Sequence, residues 1–185
     1  MAEPIEAVIR RRGSTRRFSR RSITFEQLST LLDIARRPLP IDCLPDGAPM
    51  ADVYLIVNAV DDLSPGAYVL HPDAAAIEVL REGDVRQTAG VLDLGQALAA
   101  DAAVNVYYLS ELQPVLARFG NRGYRVAQLS AAISAGRVWL AAYALHLGAT
   151  GLTFFDDDAT QFFSPHAAGK SVLFLLAVGH AAARR

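Results

Sequence analysis

Cysteine is almost absent: Cys43 stands alone among 185 residues. A single thiol excludes an internal disulfide and a thiolate metal cluster, and it suits a reducing cytosol. Long apolar runs are missing too. None approaches the roughly 20 residues of a membrane-spanning helix, and no secretory apolar segment is present. Glu3, Glu6 and Glu26 interrupt the Arg-rich N-terminus and oppose a transit peptide. Neither sign of charge is in excess. With 18 basic and 19 acidic residues the net charge is −1, which removes any global argument for a nucleic-acid partner.

Familiar chemical motifs are equally scarce. No Gly-x-Gly-x-x-Gly follows a strand-like run, so a Rossmann dinucleotide site is unsupported. Ser164–Ser171 ends like a P-loop, but Ser164 replaces its first glycine and Gly169-Lys170-Ser171 opens a β-like run. Asp156-Asp157-Asp158 has no second carboxylate or histidine cluster at ligand spacing. It reads as a capped helix start favoured by the helix dipole, and no metal site is expected. His71, His146, His166 and His180 lack nearby partners in sequence, and no nucleophile signature surrounds Cys43. No side-chain set identifies itself as catalytic. A chain of this kind borrows its chemistry from a cofactor.

What is present is a hydrophobic fraction of 52% with mean hydropathy +0.22. That excess, over a length suited to one domain (1–185), fits a covered subunit interface. Ile5, Val8 and Ile9 mark a helix over 4–12 with Gly13 as its stop. Thr24-Phe25-Glu26-Gln27 forms a capping-box pattern for a helix to Arg36. Four prolines make 38–51 a loop. Strands are expected at 52–60, 103–109, 150–155 and 171–178, with a hairpin at 67–81. Helices are expected at 85–100, 111–119, 124–147 and 157–163, with Gly148 closing the longest. This Ala-rich helix is apolar on most faces, so it should be buried on more than one side. The mixture lacks a strict βαβ rhythm and predicts an α+β fold with a mixed or antiparallel sheet.

Arg10-Arg11-Arg12-Gly13-Ser14-Thr15-Arg16-Arg17-Phe18 is the densest chemical feature. Arginine forks grip phosphate oxygens in pairs, and hydroxyls and free backbone N–H groups fill the remaining acceptor sites. Alone, it favours over such an anion pocket a solvated basic turn or a loose nucleic-acid contact. Only Phe18 offers an aromatic platform, and salt-dependent affinity would mark that last reading.

Arg12–Phe18 resembles the Arg-Arg-Ser-x-Arg-x-Phe signature that opens flavin-dependent nitroreductase-family proteins. Asp52–Val57, Pro65–Tyr68 and Leu80–Asp84 resemble the SagB-type branch, as does Arg118–Arg125 leading into the long helix. Gly148–Asp157 and Ala177–Gly179 resemble the family's C-terminal portion. The resemblance implies a nitroreductase-like fold and an intertwined homodimer with FMN at the subunit interface. It implies that Arg12, Ser14 and Arg16 hold the FMN phosphate and ribityl oxygens, with Gly13 admitting close approach. Gly151, Leu152, Thr153 and Phe154 would lie along the isoalloxazine ring and offer backbone donors, while Arg184 or Arg185 would add a phosphate contact. Arg10, Arg11 and Arg17 then become surface charge.

The activity so implied is hydride transfer from NADH, NADPH or another donor, through flavin N5, to a small electron-poor acceptor. Two departures accompany it. Cys43–Met50 replaces a polar Ser-Gly-Gly-Ala-Leu-Tyr-Pro-like loop, which leaves a non-catalytic flavin- or ligand-binding protein as the alternative. The Lys-Tyr pair of azoline-oxidising relatives is not evident, since Lys170 is the only lysine.

Overall fold

Two apolar segments, Asp52–Val57 (β1) and Val104–Ser110 (β4), are buried along nearly their whole length because both sheet faces are covered. They pair antiparallel at the centre of a six-stranded sheet. Gly66–His71 (β2) and Ala76–Glu82 (β3) extend it on one side; Ser171–Gly179 (β6) and Gly148–Gly151 (β5) extend it on the other. The strand order is β3-β2-β1-β4-β6-β5, with every strand pair antiparallel. The computed structural model describes residues 3–43, 47 and 49–183.

Alternation along the strands divides the core in two. Leu55, Val57, Val106 and Leu176 face Phe25–Ala35 (α2) and Arg122–Ala144 (α6). Tyr54, Ile56, Tyr107 and Leu175 face Arg86–Leu92 (α3), Ala97–Asp101 (α4) and Asp156–Phe162 (α7). Ile5–Arg11 (α1) and Leu112–Phe119 (α5) pack against α6. Small residues at i, i+4 spacing (Ala127, Ala131, Ala135) bring α6 close to the rest of the core. Tyr124, in the first turn of α6, and Leu129, on the side away from these alanines, are exposed within the single chain. No described helix is long and apolar enough to cross a membrane.

Thr24 and Gln27 form the expected capping box: Gln27 N–H donates to Thr24 Oγ1 at 3.1 Å and Thr24 N–H to Gln27 Oε1 at 3.0 Å. Four local expectations are corrected. The helix expected over 85–100 breaks at residues 93–96, where Leu94 and Gly95 take positive φ. The strand expected over 150–155 ends at Gly151, because Phe155 N–H turns away to Leu92 O at 2.8 Å. Gly13 is not a left-handed stop; α1 closes with Arg12 N–H on Val8 O. The long helix ends at Ala144, and His146 supplies the positive φ instead of Gly148.

Candidate functional site

The segment after α1 is pinned to the sheet edge by a single inward residue. Buried Thr15 donates its N–H to Ala149 O at 3.0 Å, and its Oγ1 lies 3.3 Å from Tyr143 Oη. Gly148 permits this approach: a Cβ there would sit 2.3 Å from Thr15 Oγ1. With Thr15 turned inward, Ser14 and Arg16 are left exposed on either side. The next residues run beside the chain's last described segment, with Ser19 N–H on His180 O and Ala182 N–H on Arg17 O, both at 2.9 Å. Arg184 and Arg185, the other expected phosphate contacts, lie outside the described residues.

Trp139, on α6, joins the two expected halves of the site, and sequence reasoning missed it. Its Nε1 donates to Gly13 O at 3.0 Å, and the Arg12 guanidinium stands 5.0 Å from its ring centre. The far ring edge lies 3.7 Å from where a Gly151 side chain would begin. A groove of about 560 Å³, lined by Ile9, Arg12, Ile133, Gly136, Arg137, Trp139 and Leu140, runs beside this junction. Arg12 and Arg16 form no ion pair among the described residues. Arg11 is more than surface charge. It binds Glu3, donates to Tyr143 O at 2.8 Å and to His146 Nδ1 at 3.3 Å, clasping α1 to the end of α6.

The second half of the site is residues 151–155. Leu152 N–H is used by Leu175 O at 3.2 Å, and its side chain packs on the core. The Thr153 and Phe154 N–H groups have no acceptor among the described residues. The Arg12 and Arg16 guanidinium groups and the Ser14 hydroxyl lie on one of the two segments that Trp139 and the Thr15–Ala149 bond link, and the two unpaired amides lie just beyond the other. That donor set fits a phosphate at one end and a ring carrying acceptor atoms at the other.

Other polar clusters stand apart from these residues. Lys170 Nζ lies 2.7 Å from Asp52 Oδ2 and 2.8 Å from Tyr54 Oη, and Tyr54 Oη lies 2.8 Å from His166 Nδ1. This Lys–Tyr contact was invisible in sequence, across 116 positions. Burial opposes the charge on Lys170, but its bonds to Asp52 and Tyr54 outweigh that and raise its pKa. Tyr54 is fully buried, and among the described residues no hydrogen bond links this cluster to 12–16 or 151–154. The acidic triplet sits in the first turn of α7, as expected, but caps nothing: Asp156 Oδ1 accepts from Val172 N–H at 2.7 Å. No group of metal-ligating side chains occurs among the described residues. A cavity of about 440 Å³ between α2 and the β2–β3 hairpin, lined in part by Phe25, Leu32 and Ile77, contains none of the expected site residues.

The profile of the nitroreductase family matches residues 9–180, nearly the whole chain. The chain belongs to the nitroreductase family. A candidate nitroreductase from Anabaena variabilis superposes with a TM-score of 0.85 at 28% identity, covering 96% of this chain and 38% of that one. The chain therefore spans well under half the length of that relative. A candidate nitroreductase from Ralstonia eutropha gives 0.79 at 20% identity, covering 100% and 86% of the two chains. An FMN-dependent nitroreductase from Clostridium difficile gives 0.65 at 14%, covering 96% and 88%. No curated protein matches the chain in sequence. The nitroreductase family is one of oxidoreductases that are typically flavin-dependent. The fold is the expected α+β nitroreductase architecture, its sheet antiparallel rather than mixed.

Proposed function

We propose that the chain is an FMN-dependent oxidoreductase, working as an intertwined homodimer on a small-molecule substrate. Residues 1–185 are read as one domain of the SagB-type branch, in the reducing cytosol. The observation that supports this reading is the Thr15–Ala149 hydrogen bond, which ties the Arg12–Arg16 segment to the strand ending at Gly151.

Arg12, Ser14 and Arg16 bind the phosphate and ribityl oxygens, and Trp139 holds the Gly13 carbonyl so that this strand stays extended. Thr153 and Phe154 direct their open amides at the ring's acceptor atoms and orient it. When bound, FMN supplies two-electron transfer between NADH, NADPH or another donor and an electron-poor acceptor. The exposed side of α6 that carries Leu129 is the surface on which a second copy would exclude water from the ring. A non-catalytic flavin binder is favoured by one feature only, the Cys43–Met50 replacement. Of that loop, Leu44, Pro45, Asp46 and Ala48 lie outside the described residues.

Arg16→Ala and Arg17→Ala separate a phosphate ligand from its neighbour. An arginine–phosphate contact is worth about 1.5–3 kcal/mol, so Arg16→Ala should weaken FMN binding at least tenfold while Arg17→Ala changes it little. Equal losses would contradict the assignment.

A further inference from the structure

We propose that Gln96 is a positioning residue: its carboxamide pulls the Thr153 carbonyl inward and thereby aims the Phe154 N–H outward at the bound ring. This rests on the flavin reading above. Thr153 C=O and Phe154 N–H belong to one planar trans peptide, so they point in opposite directions. Whatever fixes the carbonyl also fixes the amide. Gln96 Nε2 lies 3.3 Å from Thr153 O, 3.2 Å from Thr153 Oγ1 and 2.9 Å from Asp93 O. The two carbonyls can only accept, so it is the NH₂ end of the carboxamide that faces them.

Gln96 is placed by the break between α3 and α4. Leu94 and Gly95 take positive φ, and Gln96 N–H returns to Asp93 O at 3.1 Å. It occupies the N-cap position of α4 without capping that helix, so its side chain is free for the neighbouring segment. Residues 152–155 are tied at one end by Leu152 N–H on Leu175 O and at the other by Phe155 N–H on Leu92 O. Among the described residues, Gln96 supplies the hydrogen bonds between those ends.

The test compares wild-type protein with Gln96→Ala and Gln96→Glu. The glutamate keeps the shape but, ionised, faces carbonyl oxygens without a proton to donate. Three readouts are needed: amide exchange across 152–155 in FMN-free protein, FMN affinity, and flavin midpoint potential, each at unchanged melting temperature. Both variants should exchange faster and bind FMN roughly tenfold more weakly. A further tenfold loss specific to reduced flavin would lower the midpoint by about 30 mV. Unchanged affinity and potential would overturn the proposal, even with faster exchange, because Gln96 would then only stiffen the loop. Weaker binding without faster exchange would also overturn it, making Gln96 a direct contact. Wild-type protein that takes up no FMN would instead overturn the flavin reading, and this inference with it.

Discussion

Asp93→Asn should remove a pH dependence of stability that is built into the sheet's second core. Asp93 is fully buried at the end of α3; Tyr107 Oη donates to its Oδ1 at 2.8 Å, and its Oδ2 has no partner among the described residues. Burial raises its pKa from 3.8 to about 7, against the opposing bond from Tyr107. The folded state thus holds a proton that the unfolded chain has released. A folded pKa above the unfolded one gives stability that is complete below pH 3.8 and lost as pH rises to about 7. At about 1.4 kcal/mol per unit, the full loss is on the order of 4 kcal/mol, with roughly 2–3 kcal/mol falling between pH 5 and pH 8.

Asparagine keeps an oxygen for Tyr107 and cannot ionise. Urea denaturation of FMN-free wild-type and Asp93→Asn protein at pH 5, 6, 7 and 8 isolates the effect, since other titrating groups cancel in the difference. The variant should gain roughly 2–3 kcal/mol on wild type across that range, most of it before pH 7. Tyr107→Phe should push the Asp93 pKa higher still and extend the fall toward alkaline pH. A difference that stays flat with pH, or one in which wild type gains as pH rises, would refute the reasoning.

Three further perturbations test the frame around the site. Gly148→Ala drives a Cβ against Thr15 and should cost about 1–3 kcal/mol in chemical denaturation, with Thr15→Ala in the same chain restoring much of it. Thr24→Ala removes the α2 cap and should cost about 1 kcal/mol, without changing FMN affinity. Trp139→Phe loses the bond to Gly13 O and leaves a smaller, weaker aromatic face under Arg12; FMN binding should weaken by roughly 1–2 kcal/mol in a fluorescence titration.

Local signals explain why much of this was legible beforehand. The α2 capping box, the hairpin around His71–Asp73 and the apolar runs of β1 and β4 are each specified within a few residues and formed near their expected bounds, except that β1 ends at Val57, short of the expected 60. Arg12–Arg16 and Gly151–Phe154 are legible as separate stretches from the resemblance. What joins them was hidden, because Thr15 meets Ala149 across the fold and Trp139 looked like any residue of an apolar helix. The break at 93–96 was hidden for a similar reason. Val85–Ala100 reads as one helix across Gly90 and Gly95, and tertiary bonds from Tyr107 to Asp93 and from Phe155 to Leu92 hold the turn at 93–96. Lys170 and Tyr54 likewise meet only once β6 and β1 are folded into one sheet.

Visible absorbance of the purified protein, desalted after incubation with excess FMN and then titrated anaerobically with NADPH and NADH, tests the central claim most directly. The account predicts a yellow protein whose flavin band survives desalting, bleaches with one of the two donors, and returns on adding a small electron-poor acceptor. A protein that remains colourless would contradict it. Bound flavin that neither donor can bleach, and that passes no electrons to the acceptor after reduction by dithionite, would reassign the chain to a non-catalytic flavin binder.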